Sequence, residues 1–272
     1  MLGPREWIFL FTGLQSGHFS SSAETIIIDE THATRFHFFK PRMKPNPEIR
    51  KGDEVVSLFP LPNSVFYPET LLPLHIFEPR YRQMVADALQ ENRKIGMVLL
   101  KPGYETNYFD RPGVVPTGCA GTIESHTQLP DGKYNIVLRG YRRFKILREI
   151  GDHAYRQAEV LYLEDHNDTD LSPDLNNWGK VLKALYQDYL KLLPRHLHAK
   201  DAPDIQSFSR LSQMVDALAY HFDMPLDQKQ AFLEQQDVYE RVQIVKSLLT
   251  MKIDIVRHSR LQSNKGFDVR KN

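Results

Sequence analysis

The sequence predicts an α+β protein, in which a mostly antiparallel β-subdomain with one helix precedes an α-helical bundle. Two observations carry this prediction. Over residues 54–164 the chain alternates short β-rich stretches with glycine, proline and polar clusters, and one amphipathic helical stretch interrupts them. Over residues 172–262 the apolar residues recur with helical periodicity alone. With 41% hydrophobic and 25% charged residues, the composition is that of a globular protein.

The first 50 residues show no sustained apolar period, and we expect them to be disordered. Met43 stands shortly before the first strand, so residues 1–42 are alternatively an extension ahead of the true start of translation. The run WIFLFTGL follows Arg5 and resembles the short apolar core of a secretory signal. Glu6 in its leader argues against a signal, and a cytoplasmic location is the prediction.

The β-subdomain begins with the strand EVVSLF, and a proline-rich loop leads to a second strand, LPLHIF. A helix is predicted from Glu78 and Pro79 to about Asn92, because proline is tolerated at the first helical position. Four β-rich stretches follow, and the sequence LPDGK predicts a tight hairpin turn between two of them. The apolar face of the helix is formed by Tyr81, Met84, Val85, Ala88 and Leu89.

The acidic stretch EDHNDTD marks the predicted boundary between the two parts and is interpreted as a solvated linker. Ser172 and Pro173 suit the cap and first turn of the next helix. A second helix carries Leu211 to Leu218, a shorter one follows Pro225, and a long one starts near Val238. Helical periodicity is lost near Arg257, which predicts a frayed end and a basic tail over residues 263–272.

Composition and motif searches argue against most catalytic and metal-binding classes. The single Cys119 excludes an intramolecular disulfide framework and a thiolate zinc cluster, and we expect neither a metal nor a cofactor. The net charge of +1 makes nucleic acid an unfavoured partner and gives no attraction to a membrane. The P-loop, the dinucleotide-binding fingerprint and the nucleophile elbow do not occur in this sequence. His196 and His198 lie two residues apart, and two such residues on a helix point to different faces.

Two residues have a possible catalytic interpretation. His75 has Glu78 and Arg80 nearby and would be a base oriented by a carboxylate, but no nucleophile accompanies it. Cys119 lies between Gly118 and Ala120, where a small buried thiol in a strand is the commoner role. We therefore predict no catalytic residue.

The stretch PLPNSVFYPETLLPLHIFEPRY is the part of the sequence whose composition suggests binding. Exposed aromatic residues commonly dock apolar groups of a partner, which makes Phe66, Tyr67 and Phe77 the predicted peptide-binding residues. The alternative for Phe66 and Tyr67 is that they fill one end of the core of the β-subdomain.

The segment SLFPLPNSVFYPETLLPLHIFEPRYRQMV, with the later GCAGTI strand and the LPDGKYNIVLRGYRRFKI hairpin, resembles the N-terminal substrate-binding domain of Lon proteases, as found in short stand-alone bacterial proteins. The resemblance runs from about Glu54 to about Ile255. It implies a twisted, partly barrel-like, PUA-like β-subdomain joined to a helical bundle. The family positions, which the resemblance makes mostly structural, are Pro60, Leu61, Phe66, Pro68, Pro73, Leu74, Ile76, Phe77, Glu78, Arg80, Tyr81, Gly121 and Gly140.

The resemblance implies a non-catalytic module that binds unfolded or partner proteins, without ATPase or peptidase parts and with a possible link to a protease or chaperone. Two alternatives stay open. One is nucleic-acid binding through the PUA-like sheet, using Arg139, Arg142, Arg143 and Lys145. The other is a small-ligand-binding domain or an uncharacterised enzyme domain.

Overall fold

β-strands dominate the first half of the described residues and helices the second, as the sequence predicts. The computed structural model describes residues 54–106, 111–151, 154–171, 177–193 and 203–266. The first half comprises β1 (Glu54–Leu61), β2 (Leu71–Ile76), α1 (Pro79–Gln90), β3 (Lys94–Leu99), β4 (Thr117–Gln128), β5 (Tyr134–Ile150) and β6 (Arg156–Tyr162). The second half comprises α2 (Asn177–Leu192), α3 (Leu211–His221), α4 (Leu226–Glu234) and α5 (Val238–Gly266).

Several predicted features lie outside the described residues. They are the segment 1–50 with its alternative start at Met43, the helix cap at Ser172 and Pro173, the pair His196 and His198, and the last residues of the basic tail.

Five of the strands close into a ring. The strand order is β2-β5-β4-β3-β1-β6, and β6 pairs with β5 as well as with β1. The pairing of β1 with β3 is parallel and the other pairings are antiparallel, so the fold is the mixed, mostly antiparallel and partly barrel-like α+β architecture that the sequence predicts. The ring is possible because β5 is 17 residues long. One edge of β5 pairs with β4, and the other pairs first with β2 and then with β6.

A small apolar cluster fills the ring. Its members come from all five ring strands, and Phe144 on β5 is the largest of them. Gly96 and Gly118 leave room for the Phe144 ring, because a Cβ atom built on either glycine would lie within about 3.0 Å of that ring. The buried residues of this cluster are Val56, Leu58, Val98, Leu100, Val114, Ala120, Phe144, Ala158 and Val160.

A larger apolar cluster covers the outside of the ring and joins it to the helices. The β-strands contribute side chains such as Ile123 and Leu138, and α3 contributes Met214, Val215 and Leu218 to the same cluster. The described residues all belong to one compact unit. The packing of ring and helices therefore gives a continuous core, with α3 nearly surrounded by other elements.

The helices agree with the predicted faces, with one difference at the C-terminal end. Pro79 occupies the first turn of α1, and Tyr81, Met84, Val85 and Ala88 are its buried residues, as predicted. α5 continues to Gly266, so the predicted frayed end near Arg257 is wrong. The buried face of α5 ends at Ile253, and the loss of apolar periodicity marks the end of this face and not the end of the helix itself.

Gly140 lies where two stretches of backbone meet closely. A Cβ atom built on Gly140 would lie 2.0 Å from the carbonyl oxygen of Tyr67 and 2.9 Å from Cα of Pro68. The amide of Gly140 donates to the carbonyl of Thr70 at 2.9 Å, and its carbonyl accepts from the amide of Glu69 at 2.9 Å. These hydrogen bonds hold the two backbones in contact, so no side chain fits between them.

Gly140→Ala is expected to lower the free energy of unfolding by about 1 to 3 kcal/mol, because backbone atoms must move to admit the methyl group. Urea unfolding followed by circular dichroism measures the change. Gly113→Ala is the matched control, since its Cβ would meet the flexible Lys101 side chain at 3.2 Å. Equal stability of the two variants would contradict the close backbone approach.

Candidate functional site

Phe66 and Tyr67 are core residues. Their exposed fractions are 2% and 0%, so neither side chain is accessible to a partner in this structure. Tyr67 lies between the sheet and the helices, where its hydroxyl donates to the carbonyl of Lys229 at 2.8 Å and its ring contacts Phe232 edge-on at 5.4 Å. Of the two interpretations given by the sequence, the structure therefore supports the one in which Phe66 and Tyr67 fill the core. Of the three predicted peptide-binding residues, only Phe77 is exposed, at 37%.

The two family glycines accommodate these aromatic residues. Gly121 faces the Phe66 ring, and a Cβ atom there would lie 2.8 Å from it. Gly140 faces the backbone of Tyr67, as described above. Of the other family positions, Pro60, Ile76 and Tyr81 are buried, Pro73 is exposed, and Leu61, Pro68, Leu74, Glu78 and Arg80 are half-buried.

Neither catalytic interpretation gains support from its surroundings. His75 Nδ1 lies 2.7 Å from Asn135 Oδ1, whereas Glu78 pairs with Arg80 at 2.9 Å. Cys119 is fully buried, and burial raises the pKa of its thiol, which disfavours the nucleophilic thiolate. Among the described residues, no group of three or more His, Cys, Asp or Glu side chains has the geometry to hold a metal ion.

The hairpin arginines proposed for nucleic-acid binding are each paired with a carboxylate. Arg139 Nε lies 2.9 Å from Glu124, and Arg142 pairs with Glu164. Arg143 is 2% exposed and points into the protein. Phosphate contacts need accessible cations, so Arg143 cannot serve as one; Arg139 and Arg142 are engaged by carboxylates, and Lys145 is half-buried.

Arg143 belongs to a buried charged cluster that joins β5 to the helices and that we did not predict from the sequence. Its guanidinium donates to both carboxylate oxygens of Asp216 on α3, at 2.7 and 2.8 Å, and to the carbonyl of Leu233 at 3.0 Å. Arg241 on α5 donates to the same Asp216 at 2.7 Å. Burial opposes the charge of Arg143, but Asp216 favours it more, and the pKa of the guanidinium lies above its ordinary value.

Asp165 completes this cluster from the stretch that was predicted to be a solvated linker. Its carboxylate lies 2.8 Å from Arg241 Nη2 and 3.5 Å from Arg143 Nη1. The Arg241 Nη2 group forms an ion pair with Asp165 but is not aligned for a hydrogen bond to it. Asp168 accepts from the backbone amide and hydroxyl of Ser212 at 3.0 and 2.8 Å, and so caps α3 from another segment. The prediction of a solvated linker is therefore wrong for Asp165 and Asp168, whereas the side chains of Glu164 and Asp170 are 73% and 74% exposed.

The exposed apolar surface that includes Phe77 lies on β2 and β5. We define the β2 face as Leu71, Pro73, His75, Phe77 and Val137. Alternation along β2 places its odd-numbered residues on one side, and Val137 lies opposite Pro73 on β5. Leu71 is 46% exposed, and the rings of His75 and Phe77 stack with centroids 6.1 Å apart.

The arginine opposite Leu71 on the β2 face is paired with a carboxylate. Arg139, opposite Leu71, pairs with Glu124 on β4 through two hydrogen bonds of 2.9 and 3.0 Å. Both side chains of this pair are 45% exposed, so this ion pair is a solvent-exposed border of the apolar residues. Arg139 is thus already engaged by Glu124, and the residues of the β2 face other than His75 suit contact with apolar groups.

Within the described residues, no helix is long and apolar enough to cross a membrane.

A family model described as the ATP-dependent protease La (LON) substrate-binding domain matches residues 55–251. The chain is 28% identical to Lon protease 2 of Myxococcus xanthus over 222 residues, which cover 80% of this chain and 26% of that protein. It is 27% identical to the Lon protease of Escherichia coli K12 over 217 residues, with 78% and 26% covered. The chain thus spans about a quarter of the length of these relatives.

Two solved structures share the fold. The Lon N-terminal domain protein from Xanthomonas campestris has a TM-score of 0.51 at 22% identity, covering 71% of this chain and 98% of that one. The N-terminal domain of the Mycobacterium avium complex Lon protease has a TM-score of 0.55 at 17% identity, covering 72% and 98%.

Proposed function

This chain belongs to the family of the substrate-binding domain of the ATP-dependent protease La (LON), and on that premise we propose that it is a non-catalytic module that binds exposed apolar segments of unfolded or partner proteins. The observation that carries the proposal is the β2 face. It combines an aromatic ring, a leucine and a proline at the surface, and Arg139 beside it is paired with Glu124. Such a surface gains free energy when it removes apolar groups of a partner from water.

The proposed partners are unfolded proteins and, through them, a protease or chaperone that acts on the same clients. The names of the relatives are those of proteases, and this chain matches about a quarter of their length. In this proposal the chain selects polypeptides and does not cleave them. A cytoplasmic location, predicted from the composition, is part of the same proposal.

The test compares binding of a permanently unfolded protein, such as a reduced and carboxymethylated one, to the wild type and to the Leu71→Ser, Phe77→Ser double variant. We expect the variant to bind about tenfold more weakly, a loss of about 1.4 kcal/mol, because the exposed apolar contacts are gone. Fluorescence anisotropy of the labelled unfolded protein measures the affinity.

The matched control is the Val55→Ser, Tyr239→Ser double variant, whose original side chains are 44% and 40% exposed on other parts of the surface. Its affinity is expected to equal that of the wild type. If the wild type does not bind the unfolded protein at all, the proposed function is wrong. If both double variants lose affinity equally, binding does not depend on the β2 face.

A further inference from the structure

β2 lies at the edge of the sheet, and the direction of its backbone groups follows from its pairing. It is the terminal strand of the sheet and pairs with β5 alone. The amide of Gly140 donates to the carbonyl of Thr70, so the backbone of Thr70 is directed toward β5. Because backbone groups alternate in direction along an antiparallel strand, those of Leu72, Leu74 and Ile76 also point toward β5. Those of Leu71, Pro73 and His75 therefore point to the open edge.

Two of these three edge residues are unsuited to pairing with an incoming strand. Pro73 has no N–H and supplies no donor at the centre of the edge. The carbonyl of Leu71 accepts a hydrogen bond of 3.3 Å from the hydroxyl of Tyr220 on α3. His75 alone presents both a backbone donor and a backbone acceptor. A peptide adding to β2 as a strand would thus find one suitable residue in three, whereas strand addition depends on a row of main-chain hydrogen bonds.

The other open edge of this layer offers no apolar contact. Glu124–Gln128 of β4 pairs with β5, and all five of its side chains are exposed. They are polar or charged, so a strand added there would lie against polar side chains and away from Phe77 and Leu71. Main-chain pairing and apolar contact are therefore available on different parts of the surface.

The side chains of the β2 face define what it accepts. Leu71, Pro73 and Phe77 present apolar surface, and Arg139 beside Leu71 is already paired with Glu124. A charged side chain placed against this surface would lose hydration without gaining an opposite charge. The face is thus complementary to an uncharged apolar stretch of extended chain, of the kind that an unfolded protein exposes.

We infer that the β2 face recognises an uncharged apolar stretch of unfolded polypeptide by side-chain contacts, without addition of a strand to the sheet. This inference rests on the proposed function and specifies its mode of binding. It follows that the backbone amides of the ligand are dispensable and that proline within the ligand is tolerated.

The experiment uses synthetic peptides that carry one stretch of leucine and phenylalanine in an uncharged, otherwise polar sequence. Two derivatives have N-methyl groups on alternate backbone amides of that stretch, one in each register, so that every possible donor is blocked in one of them. We expect both derivatives to bind the full chain within about twofold of the parent peptide, whereas leucine and phenylalanine to serine changes weaken binding at least about tenfold. Fluorescence anisotropy with the labelled peptides measures the affinities.

The outcomes separate the inference from the proposed function. A loss of about tenfold or more on N-methylation of either register, with the parent still bound, would overturn side-chain recognition and leave the proposed function standing. A parent peptide that binds the Leu71→Ser, Phe77→Ser variant as well as the wild type would show that the β2 face is not the site. If no peptide and no unfolded protein binds the wild type, the proposed function fails and the inference with it.

Pro73→Val provides a second, independent measurement on the protein side, since valine restores a backbone donor at the open edge. Side-chain recognition predicts an affinity within about twofold of the wild type for the parent peptide. An increase of about tenfold that N-methylation of the peptide abolishes would show that the missing donor of Pro73 is what prevents strand addition in the wild type, and would support the inference. A wild-type affinity that N-methylation already lowers by about tenfold would overturn it.

Discussion

Asp216→Ala is expected to lower the free energy of unfolding by about 3 to 5 kcal/mol. Asp216 accepts hydrogen bonds from both Arg143 and Arg241, which are 2% and 0% exposed. Its loss leaves two buried guanidinium groups with Asp165 as their remaining carboxylate partner. An uncompensated buried charge has neither the protein partner nor the water that would stabilise it. Chemical denaturation with urea, followed by tryptophan fluorescence and circular dichroism, measures the change.

Two controls identify the cause of the loss. Glu124→Ala breaks an ion pair whose side chains are both 45% exposed, and its effect is expected to be within about 1 kcal/mol. The triple variant Arg143→Met, Asp216→Leu, Arg241→Met removes the three fully buried charges and is expected to recover most of the stability that Asp216→Ala loses, because the remaining Asp165 is 25% exposed and stays in contact with water. A loss below about 1 kcal/mol in Asp216→Ala would mean that the arginines find water or other acceptors without cost.

Phe66→Ala and Tyr67→Ala are each expected to lower the free energy of unfolding by about 3 to 5 kcal/mol. Both side chains are buried in the larger apolar cluster, and their removal leaves cavities that close packing around Gly121 and Gly140 cannot fill. Thermal and urea unfolding measure the loss. Any weakening of ligand binding in these variants is expected to follow the loss of folded protein.

Tyr67→Phe separates the hydroxyl from the ring. It removes the hydrogen bond to the carbonyl of Lys229, and a loss of about 1 kcal/mol is expected. Phe77→Ala is the exposed aromatic control and is expected to leave stability within about 1 kcal/mol of the wild type. If instead Phe66→Ala and Tyr67→Ala kept full stability and lost ligand binding, the docking interpretation of these two residues would be right and their burial irrelevant to function.

Tyr67 and the Arg143–Asp216 pair lie at the same interface, between the β-subdomain and the helices. Tyr67 and Arg143 come from the β-subdomain, and each donates a hydrogen bond to a backbone carbonyl of α4. The apolar contacts of Tyr67 and the ion pairs of Arg143 thus fix the helices against the ring in one orientation. The β2 face depends on this orientation, because Tyr220 on α3 holds the carbonyl of Leu71 at its edge.

Much of the fold was predictable because its elements have local signals. The alternating stretches, the LPDGK turn and the proline at the start of α1 each report the conformation of neighbouring residues, and the structure contains the corresponding strands, hairpin and helix. The motif that resembles the Lon family is likewise a continuous stretch of sequence, and the matched family model confirms that the chain belongs to this family. The candidate site was predictable in part. Phe77 is exposed, whereas the burial of Phe66 and Tyr67 depended on how a loop folds back over β4 and β5.

The sequence by itself determined the order of strands and helices, the buried faces of α1 and α3, and the family. Tertiary structure alone decided that Arg143, in a hairpin of several arginines, meets Asp216, 73 residues away. Charged residues within the apolar stretches of α3 and α5 were a signal that such a partner exists, but not of its identity. Periodicity reports which side of an element faces the interior, because it arises from the geometry of that element. Contacts between distant elements depend on how the faces pack together, and no local pattern encodes that choice.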